Sequence, residues 1–396
     1  MKSIQLAKGR AKSIQRKHPW IFSGGVAKED PSVEEGDRVN ILDAGGNRLG
    51  IGHYQKGSIR VRMLYFGREE QLASDFWITK LATARKLRRQ LYLIRPDNTT
   101  YRLIHGAGDG LPGLIIDIYG KVAVVQCHSI GMFRERQQIA SALCKVFGEE
   151  LEMIYNRSGR TLSSNFQTEE KMEGTLWGSA PADQMVIENG HQFQVNVETG
   201  QKTGFFLDQR DNRSLLACYA EGQQVLNTFC YTGGFSVYAL KAGAKQVTSV
   251  DISAKAMALT EANVALNGNN LAARHLSITA DVMQYFKEES NEHYDIVVVD
   301  PPAFAKNRGA RHRAVQAYKR LNIMALRRLR PGGLLFTFSC SQVVDRELFH
   351  HTIVAAGLES GRSASVLHHL SQGGDHPTNL FHPEGSYLKG LVLRVI

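Results

Sequence analysis

The stretch QVLNTFCYTGGFSVYALKAGAKQVTSVD, residues 224–251, decides the fold. An apolar run at 224–229 breaks at two adjacent glycines, Gly233 and Gly234; a helical pattern follows at 235–242, and a β-branched run at 246–251 ends in Asp251. Strand, glycine turn, helix and strand in that order build a parallel sheet flanked by helices. Open sheets of this kind bind ligands beyond the carboxyl ends of their strands, where glycines let the backbone come close. An acid at the end of the second strand can accept hydrogen bonds from both ribose hydroxyls of an adenosine cofactor.

The alternation continues downstream. Strands are expected at 276–280, 294–300, 333–339, 361–368 and 386–395, and helices at 254–266, 282–288, 313–330 and 345–356. No helix separates the last two strands, so an antiparallel pair is expected at the end of an otherwise parallel sheet. The third strand runs into Asp281 (LSITADVMQYF), suited to an adenine amino group or to capping the next helix. The fourth ends YDIVVVDPPAF, where two prolines stop the strand and fix Asp300 over the cleft. The fifth, GGLLFTFSCSQVV, ends in Cys340 between Ser339 and Ser341. The turn after the first strand is not G-x-G-x-x-G, which disfavours a diphosphate-bearing dinucleotide and favours a cofactor without phosphates, such as S-adenosylmethionine.

Upstream the pattern differs. Residues 1–73 read as short strands and turns (38–43, 48–54, 58–65), a small β-rich domain; residues 74–185 combine a basic helix at 74–94, glycine-punctuated strands, a helix at 132–147 and a strand near 151–155. The alternation of strands with helices begins at about 186, so three domains are expected: 1–73, 74–185 and 186–396.

With 43% hydrophobic and 22% charged residues the chain of 396 has ample core material, and neither an apolar span of membrane length nor a secretory signal appears; a cytoplasmic protein is expected. Five cysteines (127, 144, 218, 230, 340) show no C-x-x-C spacing, so neither a disulfide framework nor a metal site is expected. The net charge of +10 points to a polyanion. Two runs carry it without any acid, 78–95 with six Lys or Arg and 303–330 with nine. Candidate RNA contacts are Lys8, Arg10, Lys17, Trp20, Arg88, Arg89, Lys306, Arg308, Arg311 and Arg313.

On KGRAKSIQRKHPWIF, GDGLPGLIIDIYG, TGQKTGFFLDQRDNR, FCYTGGF, DPPAF and FSCS, residues 186–396 resemble a class I S-adenosylmethionine-dependent methyltransferase with a Rossmann-like, mostly parallel seven-stranded sheet. Nearly the whole chain resembles the bacterial 23S ribosomal RNA cytosine methyltransferases, which place a small β-barrel-like PUA domain and a central α+β domain before the catalytic one. The resemblance implies that Phe229, Tyr231, Thr232, Gly233, Gly234 and Phe235 lie beneath the methionine part of the cofactor. It further implies that Asp251 binds ribose, Asp281 with Val282 the adenine side, that Ile252 is among the cofactor-binding residues, and that Asp300 floors the cleft. Gln201, Lys202, Asp208 and Arg210, in the segment expected to cover the cofactor, are its polar candidates. The implied partner is 23S rRNA or a large-subunit assembly particle, with no membrane.

Cysteine makes sense of the cytosine substrate. Carbon 5 of cytosine is a poor nucleophile until a thiolate adds at carbon 6, so Cys340 is the expected catalytic nucleophile, with Asp300 stabilising charge on the base. Cys230, inside the glycine turn, would face cofactor rather than base and reads as structural. DPPAF carries no second cysteine, so the group that removes the carbon 5 proton has no candidate. The alternatives are an exocyclic-amine methyltransferase, which needs no cysteine, and a non-catalytic ribosome-assembly protein.

Overall fold

In the computed structural model, residues 2–162, 166, 170–288, 293–305 and 307–396 are described. The stretch 224–251 forms β1 (Gln224–Thr228), α2 (Gly234–Lys241) and β2 (Gln246–Asp251); α1 (Arg210–Ala217) precedes it. Next come α3 (Ala254–Leu266), β3 (His275–Thr279), α4 (Val282–Lys287), β4 (Tyr294–Val299), α5 (Arg311–Arg327), β5 (Leu329–Ser339), α6 (Arg346–Ser360), β6 (Ala364–Ser371) and β7 (Lys389–Val395). The sheet order is β3-β2-β1-β4-β5-β7-β6. Strands β1 to β5 pair in parallel; β7 enters antiparallel between β5 and β6. The expected terminal antiparallel pair is thus present, with the last strand inside it rather than at the edge.

Central strands of such a sheet are covered on both faces, which is why IVVV of β4 and LLFTF of β5 are almost wholly buried. Leu226, Val297, Val299, Leu335 and Leu391 join Tyr318, Leu321 and Phe349 in its core. Since the apolar residues are spent there, the chemistry sits where the strands stop.

The chain divides into two compact units, Met1–Ile187 with Val195–Leu207 and Gly374–Gly385, and Glu188–Gln194 with Asp208–Gly373 and Ser386–Ile396. The first unit holds a six-stranded sheet (residues 3–66) and a five-stranded one (residues 100–178), each with its own core. The six- and five-stranded sheets share one unit, and a two-stranded sheet, Asp183–Glu188 with His191–Asn196, runs across the expected boundary at 186. Glu135 explains the join: it accepts hydrogen bonds from Arg38 and, at 2.8 Å, from His53, both in the first sheet. Burial raises its carboxyl, but the bonds to His53 and Arg38 outweigh this and hold it near 2. The segment 374–385 is tied into the same unit by Asp375, whose Oδ2 accepts from the backbone N–H of Arg102 at 3.0 Å.

One expectation for the basic helix is corrected here. Arg88 is 0% exposed; its guanidinium donates to both oxygens of Asp109 (2.6 and 2.8 Å) and to the carbonyls of Arg102 and Asp375. A charge with four buried bonds holds the core together and offers nothing to phosphate. Its neighbour Arg89 is exposed. Arg85 is likewise tied to Glu150 and the Val146 carbonyl. No described helix is long and apolar enough to cross a membrane.

Candidate active site

The turn after β1 is held in backbone conformations that side chains rarely adopt. Phe229 (φ 55°), Tyr231 (φ 49°) and Gly233 (φ 77°) all lie in the left-handed region. For the two aromatic residues this stores strain of about 1–3 kcal/mol each, of the kind that accumulates where a ligand must be approached. At Gly233 a β-carbon would stand 2.6 Å from Thr260 Cγ2, so only glycine fits. Thr232, Gly234 and Phe235 are buried beneath the turn, and the Thr232 hydroxyl finds no partner among the described residues.

Asp251 closes this turn from the end of β2. Its Oδ2 accepts the Tyr231 backbone N–H at 3.0 Å and its Oδ1 that of Ser253 at 2.9 Å. Each carboxylate oxygen can take a second donor, so two outward acceptor positions remain. Ile252 beside it is 70% exposed, an apolar shelf next to a polar acceptor. Asp281 caps α4 through the Gln284 N–H at 2.9 Å and stays exposed, while Val282 is buried. Both roles weighed for Asp281 in the sequence are therefore compatible, one per oxygen.

Asp300, half-buried beyond β4, accepts a hydrogen bond from Gln209 Nε2 at 3.0 Å. Gln209 is itself gripped by Asn212, which donates to its Oε1 at 2.6 Å. This relay across α1 fixes the carboxylate's orientation, and the sequence reading missed it. The only cue was the position of both residues in the quoted LDQRDNR.

Beyond β5, Ser339 and Ser341 are fully buried and Cys340 between them is half-buried. The Ser341 N–H donates to Ser339 Oγ (3.3 Å), and Ser341 Oγ meets the Tyr318 hydroxyl (3.0 Å) and the Ala305 N–H (3.4 Å). The two serines thus hold the turn, and the half-buried thiol lies beside DPPAF, its Sγ 4.0 Å from the Pro301 carbonyl. Cys230 is buried against Met257, and burial pushes its thiol up to about 12. Such a thiol is no nucleophile near neutrality.

Two of the expected cofactor residues have enclosed side chains with protein partners. Arg210 is 1% exposed, with Nε 3.4 Å from buried Glu188, which also holds Arg213 through both oxygens. Asp208 is buried and accepts the Tyr387 hydroxyl at 2.5 Å. Gln201 and Lys202 belong to the first unit, where Gln201 is exposed in a bridge to Gly204.

Of the expected RNA contacts, Lys8, Arg10, Lys17 and Arg89 are exposed in the first unit and Arg308, Arg311 and Arg313 at the start of α5; Lys306 lies outside the described residues. Trp20 is half-buried against the ring of His382, 4.1 Å between centroids, which makes it partly core. The first unit also groups His18, His382 and Glu384 with ligand-type atoms within 4.8 Å of one another, although no metal site was expected; His18 Nδ1 there accepts the Trp20 N–H.

Comparison with known proteins gives the family. A family model described as S-adenosylmethionine-dependent methyltransferase matches residues 102–381, and one described as PUA-like domain matches residues 4–66. The chain is 42% identical over 99% of both lengths to "Ribosomal RNA large subunit methyltransferase I" of Aeromonas hydrophila. It is 41% identical to the protein of that name from Alteromonas mediterranea, over 99% of this chain and 98% of the other. The crystal structure of SMU.776 complexed with SAH superposes over 100% of both chains with a TM-score of 0.84 at 24% identity, a likeness of fold.

Proposed function

The chain belongs to the S-adenosylmethionine-dependent methyltransferases, and on that premise we propose that it methylates carbon 5 of a cytosine in 23S ribosomal RNA, with Cys340 as the covalent nucleophile. The observation that carries this reading is the Ser339–Cys340–Ser341 turn, which buries both serines and leaves a half-buried thiol beside the DPPAF loop. The names of the relatives supply ribosomal RNA as the substrate class, and the exposed basic groups of both units suit it.

S-adenosylmethionine fits the cleft after β1 and β2. Asp251 offers two acceptor positions for the ribose hydroxyls, Ile252 and Val282 offer apolar contact to the adenine, Asp281 an acceptor for its amine, and the turn 229–235 a close backbone approach to the methionine part. When bound, the cofactor supplies an electrophilic methyl group. The remaining chemistry belongs to the protein. The Cys340 thiolate adds to carbon 6 and pushes the ring electrons toward carbon 5; after methylation, loss of the carbon 5 proton returns the electron pair, and the thiolate leaves. Asp300, aimed by Gln209, accepts the hydrogen bond of the exocyclic amine or of a protonated ring nitrogen while the adduct exists. The base must leave its stack to reach the thiol, which single-stranded or looped RNA allows at lower cost.

Asp251→Ala removes two ribose acceptors at once. At about 1.5 kcal/mol for each charge-assisted bond, affinity for S-adenosylmethionine should fall on the order of 100-fold by calorimetry. Retained affinity would remove Asp251 from the site. For the reaction itself, methyl-labelled cofactor should be incubated with 23S rRNA and, separately, with large-subunit assembly particles, and the product nucleosides identified by mass spectrometry. The expected product is 5-methylcytidine from at least one arm. A purine methylated on its exocyclic amine would overturn the proposal.

A further inference from the structure

A lysine buried behind the cysteine turn has so far had no role. Lys389 opens β7, directly across from Ser339 on β5 and from Ser371 on β6. It is 5% exposed. Its ammonium donates to the Ser341 carbonyl at 2.7 Å and to the Val344 carbonyl at 2.5 Å, both in the turn that follows Cys340. Among the described residues no carboxylate forms an ion pair with it. An uncompensated buried cation is costly, and a chain that needed only to pin two carbonyls could do so with a neutral donor. The charge therefore calls for an anion that the resting turn can produce, and the thiol of Cys340 is adjacent along the chain to a carbonyl the ammonium holds.

We propose that Lys389 is a positioning residue for Cys340: it clamps the turn through Ser341 and Val344, and its positive charge favours the thiolate over the thiol. The inference rests on the reading of Cys340 as nucleophile. The cation comes from a strand nearly fifty residues downstream of the thiol.

The electrostatic surroundings agree with this arrangement. Burial pushes the Lys389 ammonium down to about 8, against which Cys340 pulls it up; Arg346 lowers it and Asp345 raises it. Glu347, His350 and His369 line the cavity that the lysine shares on the side of α6. The cation is therefore easily discharged unless an anion faces it, and that coupling is what the two groups would exchange.

The test is the pH dependence of Cys340 alkylation by iodoacetamide in the full chain, read at the Cys340 peptide by mass spectrometry, with exposed Cys218 as internal control. Wild type is compared with Lys389→Met and with Lys389→Gln, which keeps a hydrogen-bond donor and loses the charge. In both variants the Cys340 profile should move to higher pH, slowing alkylation at pH 7 by about tenfold, with Cys218 unchanged. Methyl transfer should fall in kcat with little change in KM for S-adenosylmethionine. Thermal melting selects the variant that remains folded. A Cys340 profile unmoved in a folded variant overturns the proposal, even if turnover falls. Failure of the parent reading shows itself elsewhere, as normal methyl transfer by Cys340→Ala, so the two failures are separable.

Discussion

Replacing Cys340 by alanine is expected to abolish methyl transfer, by 10⁴-fold or more on the order of a lost covalent nucleophile, while leaving S-adenosylmethionine binding near the wild-type value. Without addition at carbon 6, carbon 5 of the pyrimidine is too electron-poor to take the methyl group. A factor of 10⁴ corresponds to roughly 5.5 kcal/mol of barrier. The fold should tolerate the change. The thiol is half-buried and touches the Pro301 carbonyl only weakly, at 4.0 Å, while hydrogen bonds of Ser339, Ser341, Tyr318 and Lys389 fix the turn. The complementary experiment uses RNA containing 5-fluorocytosine. Fluorine cannot leave as a cation, so wild type should remain covalently attached to such RNA at Cys340 once methylation has occurred, and the alanine variant should not. Normal turnover by Cys340→Ala, or an adduct mapped to another cysteine, would sink the covalent mechanism.

Asp300→Asn should lower the rate of methyl transfer by about 10²–10³-fold in single-turnover measurements, with cofactor affinity changed severalfold at most. The substitution keeps the size of the side chain and removes the charge. Gln209 and Asn212 aim the native carboxylate, so the energy of orienting it is spent before the base arrives. Charge that appears on the pyrimidine as the adduct forms then meets an acceptor already in position. An amide in its place can turn its oxygen to Gln209 and present an NH₂ to the base, where a donor opposes the exocyclic amine. A loss confined to cofactor affinity would make Asp300 a floor for the cofactor alone, and an unchanged rate would remove it from the mechanism.

The strands and helices of the second unit were legible because their signals are local. A run such as YDIVVV ends where two prolines stop it, and Gly233 is demanded by a turn that a neighbouring Thr260 leaves no room to widen. The expected and observed elements from 224 onward differ by only a few residues at their ends, with β5 starting at Leu329 ahead of its glycines. The N-terminal strands at Ser3–Leu6, Trp20–Phe22 and Val26–Glu29 escaped notice, being short and set among lysines and arginines. The break at Glu135, between helices 130–134 and 136–147, was also invisible, since Glu135 is there to hold Arg38 and His53.

Charged side chains divide most sharply. Arg88 and Arg89 are adjacent and chemically the same, yet one is enclosed by Asp109 and Asp375 and the other faces solvent. Sequence alone determined where the strands end and which residues stand at those ends, Asp251, Asp300 and Cys340 among them, because strand periodicity and turn chemistry act over a few residues. Tertiary structure alone decided which partners each charge meets: Arg210 beside Glu188, Asp300 bonded by Gln209, Lys389 on the carbonyls of Ser341 and Val344. The state of a charge is set by the solvent it loses and the partners it meets. Those partners come from strands and helices far away along the chain, and folding is what brings them together.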